Sequence, residues 1–228
     1  MLVPELPAYL EKIGGGEYKG LIISLFTLTA GLSRPFSGKL ADQMGRIPVM
    51  LFGAIVTAIC GVLYGFVNSI FLFFLLRLFH GFSTGFTPTG SSAFVADIVP
   101  SSKRGEALGM FSLAGSLGMA AGPAIGSALA LKLGEMAMFW SSTIMGLGSV
   151  LLVWNMKETL KTPKPFNTSM LKVSWVEIFE PRVIRPAIIL ILTSTAFGIV
   201  LTLTPDLSKH LGLENKGLFF TIFTISSL

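Results

Sequence analysis

"SGKLADQMGRIPVM", residues 37–50, sets Lys39, Asp42, Gln43 and Arg46 close together in a chain that is otherwise apolar on both sides. Before it runs LIISLFTLTAGL, and after it runs VMLFGAIVTAICGVLYGF. A short charged hinge between two apolar runs of about 20 residues is the pattern of two membrane helices joined on one side of a bilayer. The runs are continuous rather than alternating, which excludes strands, and an open sheet edge cannot sit in hydrocarbon.

The rest of the chain follows that lead. Of 228 residues, 52% are hydrophobic and only 13% charged, where a soluble domain carries about 25% charged residues. The mean hydropathy is +0.75. Apolar runs long enough to span occur at 20–37, 48–67, 70–97, 107–131, 136–154 and 184–203, and a further run at 218–228 is too short to cross. The fold class is therefore all-α and polytopic, with about six full transmembrane helices plus a partial one. Twenty-five glycines suit helices packed closely in lipid. The single cysteine, Cys60, lies in an apolar run and leaves no intrachain disulfide or redox pair. No signal peptide is visible at the start.

The distribution of the net charge of +5 matters more than its sum, and nothing in it argues for a nucleic-acid partner. Alternate loops fall into two sets. Lys39, Arg46, Lys103, Arg104, Lys157, Lys161, Lys164, Lys172, Arg182 and Arg185 form the richer one, and Lys12, Lys19, Lys132, Lys209 and Lys216 the poorer. The richer set should face the cytoplasm. That places loops 38–47, 97–106 and 157–182 inside, and leaves a glycosylation-type acceptor at Asn167 unused. The connection 157–182 is the longest, and in it Leu171, Trp175, Ile178 and Phe179 recur at helical spacing. It reads either as an interfacial helix on the cytoplasmic surface or as a plain linker. Three parts result: a half-bundle over 1–156, the linker over 157–182, and the start of a second half-bundle over 183–228.

Two arginines lie inside the spans. A mid-membrane Arg costs about 2.5–3.5 kcal/mol on insertion scales, so such residues usually face a bundle interior or a watery cavity. Arg34 is eight residues from Asp42, near enough to the cytoplasmic side for snorkelling as well. Arg77, Gly81, Thr84, Pro88 and Ser91 share one helical face, bordered by His80, while Phe79, Phe82 and Phe86 fall opposite and suit lipid. The polar face reads as a cavity wall or as a structurally paired arginine. Gly115, Gly118, Gly122 and Gly126 form one stripe in the following span, with Pro123 set to bend it. None of the six full spans carries a mid-membrane Asp or Glu.

Together these segments resemble the major facilitator superfamily. Gly38-x-x-x-Asp42-x-x-Gly45-Arg46 is similar to its loop signature between helices two and three. "RLFHGFSTGF", with Arg77, Gly81 and Gly85, resembles its fourth-helix arginine motif. "GMAAGPAIGS", with Gly118, Gly122, Pro123 and Gly126, resembles the fifth-helix motif of its drug:proton antiporter branch, and "ADIVPSSKRGEALG", with Asp97, Arg104 and Gly105, the junction between helices four and five. There are departures: Ile47-Pro48 replaces a further basic residue, and Ser127 stands where a second glycine often closes the antiporter motif. "VPELPAYLEKIGG" resembles only the outer end of the family's first helix, and the chain stops inside the eighth of twelve.

The resemblance implies two halves rocking about a central site, with Asp42 locking them on the cytoplasmic side against the positive end of a late helix. It implies that Arg46 pairs with Asp97, that Arg104 completes the network, and that Gly38 and Gly45 allow a tight approach and turn. The implied function is proton-coupled efflux of a small molecule from a bacterial inner membrane. The alternatives are uptake of a sugar or metabolite, or a truncated membrane protein that does not transport. The partners are the lipid bilayer, a small-molecule substrate and protons. No cofactor, metal cluster, nucleophile–base pair or phosphate loop is expected, and "IGGGEYKG" lacks the ending a P-loop needs.

Overall fold

A computed structural model describes residues 1–174, 181–215 and 217–227. Among them the order is α1 (Leu6–Lys12), α2 (Lys19–Met44), α3 (Arg46–Tyr64), α4 (Ile70–Thr84), α5 (Phe86–Ile98), α6 (Arg104–Leu133), α7 (Glu135–Trp154), α8 (Ile184–His210) and α9 (Leu218–Ser227), with short 3-10 turns between. Five segments are long and apolar enough to cross a membrane: α3, the α4–α5 pair, α6, α7 and α8, the last three with the turns that precede them where present. The helix α2 has the length, but it carries Lys19, Arg34, Lys39 and Asp42 and is not among the five.

Local chemistry explains the boundaries. Gly45 separates α2 from α3 in a single residue at φ 120° and ψ 163°, a conformation open essentially to glycine alone. Gly134, at φ 87° and ψ 167°, does the same between α6 and α7. Pro48 falls in the first turn of α3, where a missing N–H is harmless. Ser69 caps α4 by accepting from the Leu72 N–H at 3.3 Å. The span expected over 70–97 is one crossing built as two helices, because Pro88 cannot donate to the carbonyl of Thr84. The interfacial helix expected around Trp175, Ile178 and Phe179 lies outside the described residues. Before it, Thr168–Leu171 makes a 3-10 turn that buries Met170.

The tightest packing joins α3 to α7, α2 to α4, and α3 to α5. The main core lies at the end of the bundle away from the Asp42 loop. There Leu6 and Leu10 of α1 pack among Ile22, Cys60, Tyr64, Phe73, Met138 and Phe139. Tyr9 fixes α1 in place, donating its hydroxyl to the carbonyls of Val67 at 2.6 Å and Tyr64 at 3.0 Å. A second cluster sits at the other end, where Met170 of the linker joins Leu40, Ala41, Val49 and Phe86. The sequence places Phe86 towards lipid, and this is corrected: it is buried, because α5 restarts after Gly85 and the linker folds over it. Phe79, on the same expected face, is exposed.

Candidate functional site

The charged loop forms a closed network. Arg46, at the start of α3, donates from Nη1 to Asp42 Oδ1 at 2.7 Å and from Nε to Asp97 Oδ2 at 3.0 Å. Its Nη1 also donates to the Ala41 carbonyl at 2.6 Å. Arg46 thus clamps the end of α2 to the end of α5. Arg104 does not reach the carboxylate with a hydrogen bond; its Nε donates to the carbonyl of Ala96 at 3.0 Å, one residue before Asp97. Gly38 makes no close approach to any described atom, and the Asp42 side chain is 73% exposed. Among the described residues, Val173 of the linker lies beside the face that carries Gly38 and Asp42.

Two residues absent from the sequence reading complete this network. Gly45 offers α3 no capping side chain, so its first N–H groups need acceptors from elsewhere. Glu158, just past the end of α7, supplies them: Oε1 accepts from Arg46 N at 3.0 Å and Oε2 from Ile47 N at 2.9 Å. A Cβ at position 45 would run into the same carboxylate. Burial opposes ionisation of Glu158, but backbone donors from Leu160, Arg46, Ile47 and Thr159 outweigh it and hold its carboxyl below the ordinary range. Thr159 then donates to Asp97 Oδ2 at 2.8 Å. The linker continues along the site, with Lys164 N donating to the Gln43 carbonyl at 2.8 Å and Lys39 Nζ to that of Lys172 at 2.7 Å. The only local signal was an acid in "KETLKTPK", which reads as an ordinary loop residue.

Arg77 is buried within the bundle and tied to backbone. Its Nη2 and Nε donate to the Ile22 carbonyl at 2.9 and 3.1 Å, and its guanidinium lies 4.3 Å from the centre of the Phe26 ring. Tyr64 Oη stands 3.4 Å from both Arg77 Nη1 and His80 Nδ1. Gly81 lets α4 approach Phe26 and Thr29 of α2. One cavity of about 370 Å³ is lined by Phe26, Arg77, His80 and Met145. A neighbouring one of about 560 Å³ is lined by Thr84, Thr87, Ser91, Ser112 and Ser149. Thr57 and Gly146 belong to both walls. Both volumes fall in the range of small-molecule sites. The structural pairing and the cavity wall, two readings of the same helix, are both present. Arg34 is not with them. It is exposed, beside Gly38 and Asp42.

The antiporter-type stripe divides its contacts. Gly122 and Gly126 face the backbone of Met1, while Gly115 and Gly118 meet nothing close. Ser127 donates to Glu5 Oε1 at 2.7 Å. Pro123 lies inside α6, and backbone near it is satisfied from the C-terminal stretch: Thr221 Oγ1 of α9 donates to the Ala120 carbonyl at 2.7 Å, and Asn215 Nδ2, ahead of α9, to that of Ala124 at 3.3 Å. At the same end, Lys19 bridges Glu11 at 3.0 Å and Asp206 at 3.2 Å, and so joins α1 and α2 to α8.

A profile described as the Major Facilitator Superfamily matches residues 1–228. The chain is 26% identical over 200 residues to Multidrug resistance protein 1 of Bacillus subtilis, covering 87% of this chain and 51% of that protein. It is 33% identical over 165 residues to Multidrug resistance protein MdtG of a Rahnella species, covering 69% of this chain and 40% of the relative. It is 34% identical over 164 residues to the Multi-drug resistance efflux pump PmrA of Streptococcus pneumoniae, covering 69% and 41%. The chain thus spans about half, or less, of the relatives it matches.

Proposed function

Because this chain belongs to the major facilitator superfamily, we propose that it supplies one half, and the start of the other, of a secondary active exporter of small amphipathic compounds. The exporter sits in a bacterial inner membrane and is driven by protons moving inward. The observation that carries this reading is the assembled Asp42–Arg46–Asp97–Glu158 network, in which the Asp42 side chain stays mostly exposed. A hinge loop that only fixed topology would not need a clamp drawn from the ends of α2, α3 and α5 and the residues after α7. The names of the relatives, which describe multidrug resistance and efflux, support export over uptake. The basic loops at the Asp42 end support placing it in the cytoplasm.

With the Asp42 end closed, Arg46 holds α2 and α5 together and Glu158 fixes the N-terminus of α3, so Asp42 is presented as a rigid acceptor. Its partner is the positive end of a helix in the second half. Opening that end releases Asp42 without dismantling the Arg46–Asp97–Glu158 clamp. The two neighbouring cavities then give an amphipathic guest aromatic and aliphatic wall with scattered hydroxyls. No covalent chemistry is required of any residue.

The test is ethidium movement into inverted membrane vesicles containing the full-length protein, with the lumen made acidic. Accumulation that collapses when a protonophore dissipates the gradient is the expected result. Ethidium movement indifferent to the gradient would remove proton-driven export.

A further inference from the structure

The linker roofs an apolar pocket that the transport mechanism does not use. Met44 of α2, Pro48 and Phe52 of α3, Phe86 of α5, and Phe166 and Leu171 of the linker line a volume of about 510 Å³. Every side chain in its wall is aliphatic, aromatic or a thioether. Phe52, Phe166 and Leu171 of that wall remain exposed. The helix α3 runs for 19 residues, about 28 Å, close to the hydrocarbon thickness of about 30 Å. Pro48 and Phe52 lie in its first two turns. The pocket therefore sits where lipid headgroups give way to acyl chains.

The roof is cationic. Between 157 and 174 the sequence carries four lysines, Lys157, Lys161, Lys164 and Lys172, against one acid, Glu158. Glu158 is turned to the N–H groups of Arg46 and Ile47, whereas all four lysines are exposed. Asp42 and Asp97 are paired with Arg46. Lys164 comes two residues before Phe166, and Lys172 directly follows Leu171. With about 3.8 Å between successive Cα atoms, both lysines stand within side-chain reach of the pocket's edge. The segment is pinned there by Lys164 N on the Gln43 carbonyl and Lys39 Nζ on that of Lys172, with Met170 buried beneath it beside Leu40 and Phe86.

We propose that this pocket seats an anionic phospholipid of the phosphatidylglycerol type, with one acyl chain between α3 and the linker and the phosphodiester against Lys164 and Lys172. Exposed apolar surface marks a contact with membrane or partner, and lysine clusters at the membrane edge attract anionic lipid. A zwitterionic lipid brings the same chain without the net charge, so the lysines supply the selectivity and the pocket supplies the hold. An exported guest fits less well here, because the cavities lined by Arg77 and by Ser112 carry polar groups that this wall lacks. The seated chain fills the space under Phe166 and Leu171 and so holds the linker against α2 and α3. Lipid binding requires no transport, so it stands apart from the export reading.

The experiment is native mass spectrometry of the full-length protein, titrated with phosphatidylglycerol or with phosphatidylcholine of the same chains. Phosphatidylglycerol should bind about tenfold tighter, and Lys164→Gln combined with Lys172→Gln should remove that advantage. Phe166→Asp, and separately Leu171→Asp, should weaken both lipids. All four positions are exposed, so the lipid-free unfolding midpoints should stay close to wild type. Equal affinity for the two lipids, an advantage that survives the double lysine variant, or full binding in both aspartate variants overturns the proposal. Glycerol phosphate competing as well as the whole lipid also overturns it, since no chain is then seated. Displacement of the lipid by ethidium would assign the pocket to exported compounds and overturn it too.

Discussion

Glu158 concentrates the chemistry of the charged loop at one atom pair. Two N–H groups at the start of α3 depend on it, because glycine at position 45 brings no capping oxygen. Glu158→Ala should therefore cost about 1–2 kcal/mol, as loss of a helix cap does elsewhere. Glu158→Gln, which keeps an acceptor but not the charge, should cost less. Thermal unfolding of the purified protein measures both. The carboxyl lies below its ordinary value of 4.5 in the folded protein. Its contribution is therefore complete above that value and is lost as the pH falls through the lowered folded one. The wild type should lose stability on acidification over that window, and Glu158→Gln should lose less of it. Gly45→Ala is a harsher change. The backbone strain alone is of order 1–3 kcal/mol, and the new methyl meets the Glu158 carboxylate.

At the scale of elements, Arg77 shows how a helix face reads correctly in outline and differently in detail. It ties α4 to α2 through the Ile22 carbonyl and still lines a cavity. Arg77→Ala should cost about 1.5–3 kcal/mol for the charged hydrogen bonds removed, and transport should fall with it. Arg77→Lys should not restore either, since an ammonium cannot span the carbonyl and the Phe26 face as a planar guanidinium does. Unfolding midpoints and ethidium rates, measured together, check this. Five crossings were legible in the sequence because each is a continuous apolar run, and the Arg46–Asp97 pair through the family resemblance, which implied it. Phe86 was misplaced because Gly85 and Pro88 break the helical phase that the wheel assumed. Glu158 and Glu5 were not legible for one shared reason. Their partners lie 112 and 122 residues away, and in the first case are backbone N–H groups that leave no mark on a sequence.

At the scale of the whole molecule, charged clusters occupy both ends of the bundle. At one end Lys19, Glu11 and Asp206 join α1 and α2 to α8. At the other, Arg46 joins α2 to α5, and the Asp42 side chain stays mostly exposed. In the proposed mechanism the charge of Asp42 serves the closure of its end, while Arg46 keeps Asp97 and the Ala41 carbonyl when that charge is removed. The most direct test is the initial rate of gradient-driven ethidium transport by full-length Asp42→Asn, normalised to inserted protein. The account predicts a rate reduced roughly tenfold or more, a barrier change of about 1.4 kcal/mol, with insertion and the unfolding midpoint close to wild type. A wild-type rate from that variant would contradict it.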